Sequence, residues 1–290
     1  HRQGCGISAE MVIMRVFRID EPELFFGGNR KCLDPQVGLL NFGPHGGTST
    51  DTPQFSIRAG MIGTDQSIDT AKVWLERLKY RVHAEERLDM EYKGVDFPGM
   101  SLNSPLRFEI FVDDDCIIKI DRKFVERLRG VNPRQERILL AVKEYCKKFD
   151  DLLEAHPHPR PQIVLLPIDN SLMSLCKEPY RKTDKIVYQR RVFGDIEDKD
   201  AADIELFDFH NYLKAQAALR GLVTQMITPK TLVFAEERQT PALIGWNIAV
   251  AIYYKATSIP WKLAQIDEDT CYIGVSFYNE IRTSGKSMRA

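Results

Sequence analysis

The sequence predicts an α/β fold of the doubly wound kind, and three observations carry the prediction. Gln162–Ile168 (QIVLLPI) is a continuous apolar run, the pattern of a strand buried on both faces of a parallel sheet. Before it, residues 132–155 place Ile138, Leu139, Val142, Tyr145, Cys146, Phe149 and Leu152 three and four apart, an apolar stripe along one helix. After it, Asp169-Asn170-Ser171 supplies capping side chains for a further helix. Helix, buried strand and helix in that order build a sheet covered by helices.

Taken in order, residues 1–60 carry little periodicity. A short apolar run at Met11–Phe17 leads into EPELFFGG and LDPQVGLLNFGPHGG, with turns at Asp34-Pro35 and Gly43-Pro44. An extended arm that wraps another surface is expected there. Phe55–Gly63 (FSIRAGMIG) reads as a strand ended by glycine. Ser67–Tyr80 reads as a helix through Ile68, Ala71, Val73, Trp74, Leu75 and Leu78. Leu106–Val112 and Cys116–Ile120 read as strands, and Asp121–Arg129 as a short helix closed by Gly130. Asn132-Pro133 starts the long helix: Asn caps it, and Pro lacks an N–H that the first turn leaves unbonded anyway. HPHPRP ends it near Ala155.

Lys177–Arg191 is basic and Asp195–Glu205 acidic, the pattern of a solvated insertion. Leu206–Arg220 then reads as a helix with Gly221 past its end, and Leu222–Thr228 as a strand. Thr240-Pro241 starts another helix; Trp261–Ala264 and Cys271–Tyr278 (CYIGVSFY) read as strands. The sequence stops at Ala290 soon after a strand with no helix to cover it, so a second domain, cut short, is expected. There is no internal repeat.

Bulk composition narrows the function. A chain of 290 residues, 43% hydrophobic and 28% charged, is long enough for two domains with sizeable cores. Lys+Arg 40 against Asp+Glu 41 leaves no global basic field, which argues against a non-specific nucleic-acid coat but not against a local phosphate site. The six cysteines, at 5, 32, 116, 146, 176 and 271, form no CxxC pair, so neither a zinc ribbon nor a redox motif is offered, and a cytoplasmic protein is expected. The longest mainly apolar stretch, Ala242–Tyr254, has 13 residues, short of the ~18 a membrane span needs.

Within His210–Lys255, four polar side chains suit one task. His210 and Lys214 lie one turn apart on the same helix face, Gln225 stands in or beside the next strand, and Lys255 lies near the end of the last helix. Two ammonium groups, an imidazole and an amide are donors suited to a terminal phosphate, and His210 has a second use in stacking on a base. Spacing alone leaves blander readings open: a lysine that complements a helix C-terminus, a lysine on a solvated face, and a glutamine at a strand edge.

The run F-H-x3-K at Phe209–Lys214, T-Q at Thr224-Gln225, W-N…Y-Y-K-A…P-W over Trp246–Trp261 and the C-Y-I-G that follows resemble short prokaryotic Argonaute proteins. EPELFFGGNRKCLDPQVGLLNFGP, IRAGMIG and IVLLPIDNSLMSLC resemble the same group in the same order. The resemblance implies a Rossmann-like MID domain over 61–262, preceded by the 1–60 arm and followed from 263 to 290 by the beginning of an RNase H-like PIWI domain. It implies that His210, Lys214, Gln225 and Lys255 hold the 5′-phosphate of a guide strand, with Thr224 and Tyr254 beside them. The family often has Tyr at the His210 position, and His is a variant of that slot. In many relatives Mg2+ helps hold the guide phosphate, here through Gln225 indirectly. The implied partners are a 5′-phosphorylated guide RNA, a complementary single-stranded DNA target and an APAZ-containing effector protein (TIR, sirtuin-like or nuclease), with a role in defence against phage and plasmids. Slicing relatives carry a metal-binding Asp where this chain has Ser276, and a neutral hydroxyl cannot supply that charge, so no target cleavage is expected.

Other features read more plainly. His156 and His158 suit a Pro-rich surface loop better than a metal, Asp113-Asp114-Asp115 suits a turn, and Trp246 suits the core. The glycine pairs at 27–28 and 46–47 lack the form of a phosphate loop, and Cys271 has no base assigned to it. Three function classes are therefore carried: a guide-binding module without cleavage, an RNase H-like or nucleotide-dependent enzyme, and a structural subunit that docks an effector.

Overall fold

The computed structural model describes residues 21–46, 53–84, 94–132, 134–177, 208–233 and 239–265, and the backbone of 278–282 and 285–289. The basic and acidic stretches of 177–205 (apart from the helical backbone at its first residue), Met11–Phe17, Cys271 and Ser276 lie outside the described residues.

The arm opens with β1 (Leu24–Phe25), a tight turn and β2 (Lys31–Cys32), followed by α1 (Pro35–Phe42). The sheet begins with β3 (Phe55–Gly63), which feeds α2 (Asp65–Leu78). Next come β4 (Phe108–Phe111), β5 (Ile117–Lys119), α3 (Arg122–Leu128), α4 (Arg134–Ala155), β6 (Ile163–Pro167) and α5 (Asn170–Lys177). After the undescribed residues follow α6 (Phe209–Leu219), β7 (Thr224–Ile227), α7 (Pro229–Leu232), α8 (Pro241–Ala256) and β8 (Lys262–Leu263). A two-stranded antiparallel ribbon, β9 (Tyr278–Arg282) and β10 (Gly285–Arg289), ends the described chain.

The main sheet is parallel throughout, in the order β4-β3-β6-β7. Residues 55–58 of β3 pair with β4 and residues 61–63 pair with β5, so one edge is made of two consecutive pieces broken at Asp114–Cys116. The chain builds outward from β3 to one side, then crosses to β6 on the other, and parallel neighbours of this kind require helical crossovers.

Strand alternation sends side chains to two cores. Ile57, Ala59 and Met61 of β3, with Ile163 and Leu165 of β6, face α2, α8 and the arm. Ile62, Val164 and Leu166 face α3, α4, α5 and α6. All five residues of β6 are buried, as its unbroken apolar run requires, and both faces of the sheet are covered.

Several expectations are corrected in detail. The arm is not merely extended: Pro35–Phe42 is helical because the Asp34 carboxylate accepts the Gln36 and Val37 N–H groups and Pro occupies the first turn. Phe26 and Leu39 enter the same core as β3, and β8 pairs with β1, joining residues 262–263 to the arm's own small sheet. β3 is continuous across position 60, so the arm's last residues belong to the sheet. Val73 is 63% exposed and stands off the α2 stripe. β4 begins only at Phe108, because Arg107 has φ +56°, a left-handed conformation that no strand residue adopts.

Candidate functional site

The candidate site forms where α6 turns into the edge strand β7. Asp208 caps α6 by accepting the Asn211 N–H. At the other end Gly221 takes φ +69°, its N–H bonds the Ala218 carbonyl, and the Leu222 N–H reaches back to the Ala217 carbonyl. This paired closure satisfies the last carbonyls of the helix and reverses the chain into β7. Arg220 bridges to Asp150 of α4 at 2.7 Å, which fixes the end of α6 against the long helix.

Among the described residues β7 has a neighbouring strand on one side only. Val223 and Ile227 give their carbonyls to β6, so by alternation Thr224 and Met226 direct theirs outward. Side chains cover both. The Gln225 amide donates to the Met226 carbonyl at 2.9 Å, and the Lys255 ammonium donates to the Thr224 carbonyl at 2.9 Å and to Gln225 Oε1 at 2.7 Å. Lys255 reaches this edge from the last turn of α8, a helix begun by the Thr240 cap and Pro241. Burial first, and then the like charge of Lys214, push the Lys255 ammonium below the ordinary lysine value.

The structure therefore brings together Lys255, Gln225 and Thr224 by direct bonds and Lys214 by its field at Lys255. His210 shares the exposed face of α6 one turn away but makes no bond to the other three among the described residues. Tyr254 is 63% exposed and points away from the core beside Lys255. Among the described residues neither lysine has a carboxylate partner, and Lys255 keeps one N–H in reserve at the β7 edge. An oxyanion between them would be attracted to both, as a metal ion would not. Gln225 Oε1 already accepts from Lys255, and the described residues supply no anionic ligand here, so a Mg2+ at this edge would take its charged ligands from a bound phosphate.

A second cluster was not singled out from the sequence. Asp115, Cys116 and His156 bring ligand-type atoms within 4.8 Å of one another. His156 Nε2 lies 2.9 Å from the Asp115 carbonyl, and Arg58 pairs with Asp113 at 2.7 Å and with Asp115 at 3.6 Å. Burial pushes the Cys116 thiol up to about 11, so without a metal it stays protonated at neutral pH. The group locks the loop before β6 to the break between β4 and β5. Trp246 is core as expected: it is 1% exposed and donates from Nε1 to the Val95 carbonyl at 3.1 Å.

No family model and no curated protein matches the chain. Solved structures similar to it include Clostridium butyricum Argonaute bound to a guide DNA and a 19-mer target DNA, at 18% identity over 87% of this chain and 25% of that one, with a TM-score of 0.45. Others are Aa-Ago with externally bound siRNA (12% identity, 91% of this chain, 27% of that one, TM-score 0.44) and Drosophila Piwi (14%, 92%, 26%, TM-score 0.38). The chain spans about a quarter of the length of each. The likeness is one of backbone course, and no residue role is taken from it. No helix among the described residues is long and apolar enough to cross a membrane.

Proposed function

We propose that this chain anchors the terminal 5′-phosphate of a guide nucleic-acid strand at the edge of β7 and presents that strand to a complementary target. One observation carries the reading: Lys255, partly withdrawn from water, is held at the β7 edge by Gln225 and the Thr224 carbonyl, with no carboxylate partner among the described residues, and it feels the like charge of Lys214. Like charges that feel one another favour an anion near them. A phosphate monoester, with up to two charges and three free oxygens, matches that demand better than a phosphodiester. In this reading His210, exposed on α6 one turn before Lys214, meets the first base.

The motif resemblance supports the finer reading. Ser276 stands where slicing relatives carry a metal-binding Asp, so the chain recognises without cutting, and an APAZ-containing effector supplies the response in cytoplasmic defence. Over residues 210–290 Lys+Arg number nine against six Asp+Glu, which gives this end a mildly basic balance.

The test is the affinity of a short single-stranded RNA with and without a 5′-phosphate. The phosphorylated form should bind more tightly, and Lys214→Ala with Lys255→Ala should remove the difference. Each charge-assisted contact should be worth about 1.5–3 kcal/mol. Equal affinity for the two RNAs would sink the proposal.

A further inference from the structure

A cavity of about 480 Å3 opens elsewhere, between the arm and the segment that leads into β4. Its size falls in the range of roughly 300–1,000 Å3 usual for small-ligand sites. Arg30 and Arg107 stand on its walls together with Asn41, Asn103 and Ser104, and among the described residues no acidic side chain lines it. Leu40, Phe42 and Pro105 give it an apolar side. It lies outside the β7 edge, at the opposite border of the sheet, where Arg107 immediately precedes β4.

Two independent observations separate it from an ordinary surface dent. Among the described residues neither guanidinium has an ion pair or a side-chain hydrogen bond, although both line the cavity with the last residues of α1. The second observation concerns the backbone. Only two non-glycine residues among those described have positive φ, Asn29 at +55° and Arg107 at +56°. One directly precedes Arg30 and the other is the second arginine, so each sparsely populated conformation lies at or next to one of the two guanidinium-bearing residues. Arg107 is fixed on both sides: its N–H bonds the Ser104 carbonyl and its own carbonyl accepts the Phe55 N–H. The arm wall is fixed too, by the His45 N–H on the Pro260 carbonyl at 2.7 Å.

We propose that Arg30 and Arg107 form a second anion site, which takes a phosphate group of a nucleotide, free or within a bound strand. Planar guanidiniums without an acidic partner suit phosphate oxygens, Asn41 and Asn103 add neutral donors, and the apolar side accepts the rest of a nucleotide. The site is separate from the β7 edge and does not depend on the reading given to it.

The test uses the full chain carrying Lys214→Ala and Lys255→Ala, which removes the β7 site. Titration calorimetry with inorganic pyrophosphate at low salt should still find one site. Adding Arg30→Gln or Arg107→Gln should weaken it about tenfold or more each. Arg30→Lys with Arg107→Lys, which keeps the charge, should retain much of the binding. Both arginines are exposed and have no side-chain partner among the described residues, so the variants should keep the parent's urea midpoint. No pyrophosphate bound by the Lys214→Ala, Lys255→Ala chain, or binding unmoved by either glutamine change, would overturn the proposal. Failure of the β7 reading appears separately, as loss of discrimination between 5′-phosphorylated and 5′-hydroxyl RNA. The source of the phosphate follows from two further ligands on the chain with intact lysines: weakened binding of a short 5′-hydroxyl RNA marks a strand, and weakened binding of adenosine diphosphate alone marks a free nucleotide.

Discussion

Lys255 holds two tasks that pull in opposite directions. As a structural group it covers the Thr224 carbonyl on an open strand edge; as a cation it stands beside Lys214. Its lowered affinity for the proton ties both to pH. The unfolded chain keeps that proton up to the ordinary lysine value, about 10.4, while the folded chain gives it up earlier. In that window the unfolded state binds more protons, so this group's contribution to stability rises with pH. Phosphate binding runs the other way, because it needs the charged form. Affinity for a 5′-phosphorylated single-stranded DNA should therefore begin to fall at a pH below the ordinary lysine range. Lys255→Arg, which stays charged, should flatten the curve. The check is the dissociation constant of both chains from neutral pH to about 10; parallel curves would exclude Lys255 as the titrating contact.

At the scale of elements, α8 carries Lys255 to the edge, and its placement depends on one close approach. A Cβ at Gly245 would stand 2.7 Å from the ring of Phe97, which packs edge-on against Trp246 at 5.8 Å between centroids. Phe97 is fully buried, so Gly245→Ala should cost about 1–3 kcal/mol by overpacking. Urea unfolding checks this, and Phe97→Leu in the same chain should recover part of the loss by making room. The start of α8 was legible because Thr240-Pro241 joins a capping hydroxyl to a residue preset for the first turn. Asp34-Pro35 carries the same chemistry at α1 but was expected to turn, since only one helical stretch of eight residues follows and its apolar positions show no clear stripe. The late start of β4 was not legible: nothing in an alternating LRFEIFV pattern signals that Arg107 will be left-handed. For the candidate site, the sequence placed His210 and Lys214 on one helix face. It could not show that Lys255, thirty positions from Gln225, bonds to it across the strand edge.

At the scale of the whole molecule, the arm changes what the fold is. A two-faced parallel sheet needs cover on both sides, and α2 and α8 share one side with Phe26 and Leu39 from the arm. Phe26 is fully buried, its ring lies 6.3 Å from that of Trp261, and Gly38 passes so near it that a Cβ would overlap the ring. Trp261 in turn precedes β8, which pairs with β1. The arm thus joins the start of the described chain to the segment after α8, and an arm that only wrapped a partner would leave the core intact when lost. Phe26→Ala discriminates between the two. Emptying a fully buried aromatic site should cost about 3–5 kcal/mol, because the removed ring forfeits both its transfer from water and the contacts around the cavity. A docking surface would lose under about 0.5 kcal/mol, as exposed positions do. Urea unfolding of the isolated chain, without any partner, measures the difference, and an unchanged midpoint would return the arm to the role of an appendage.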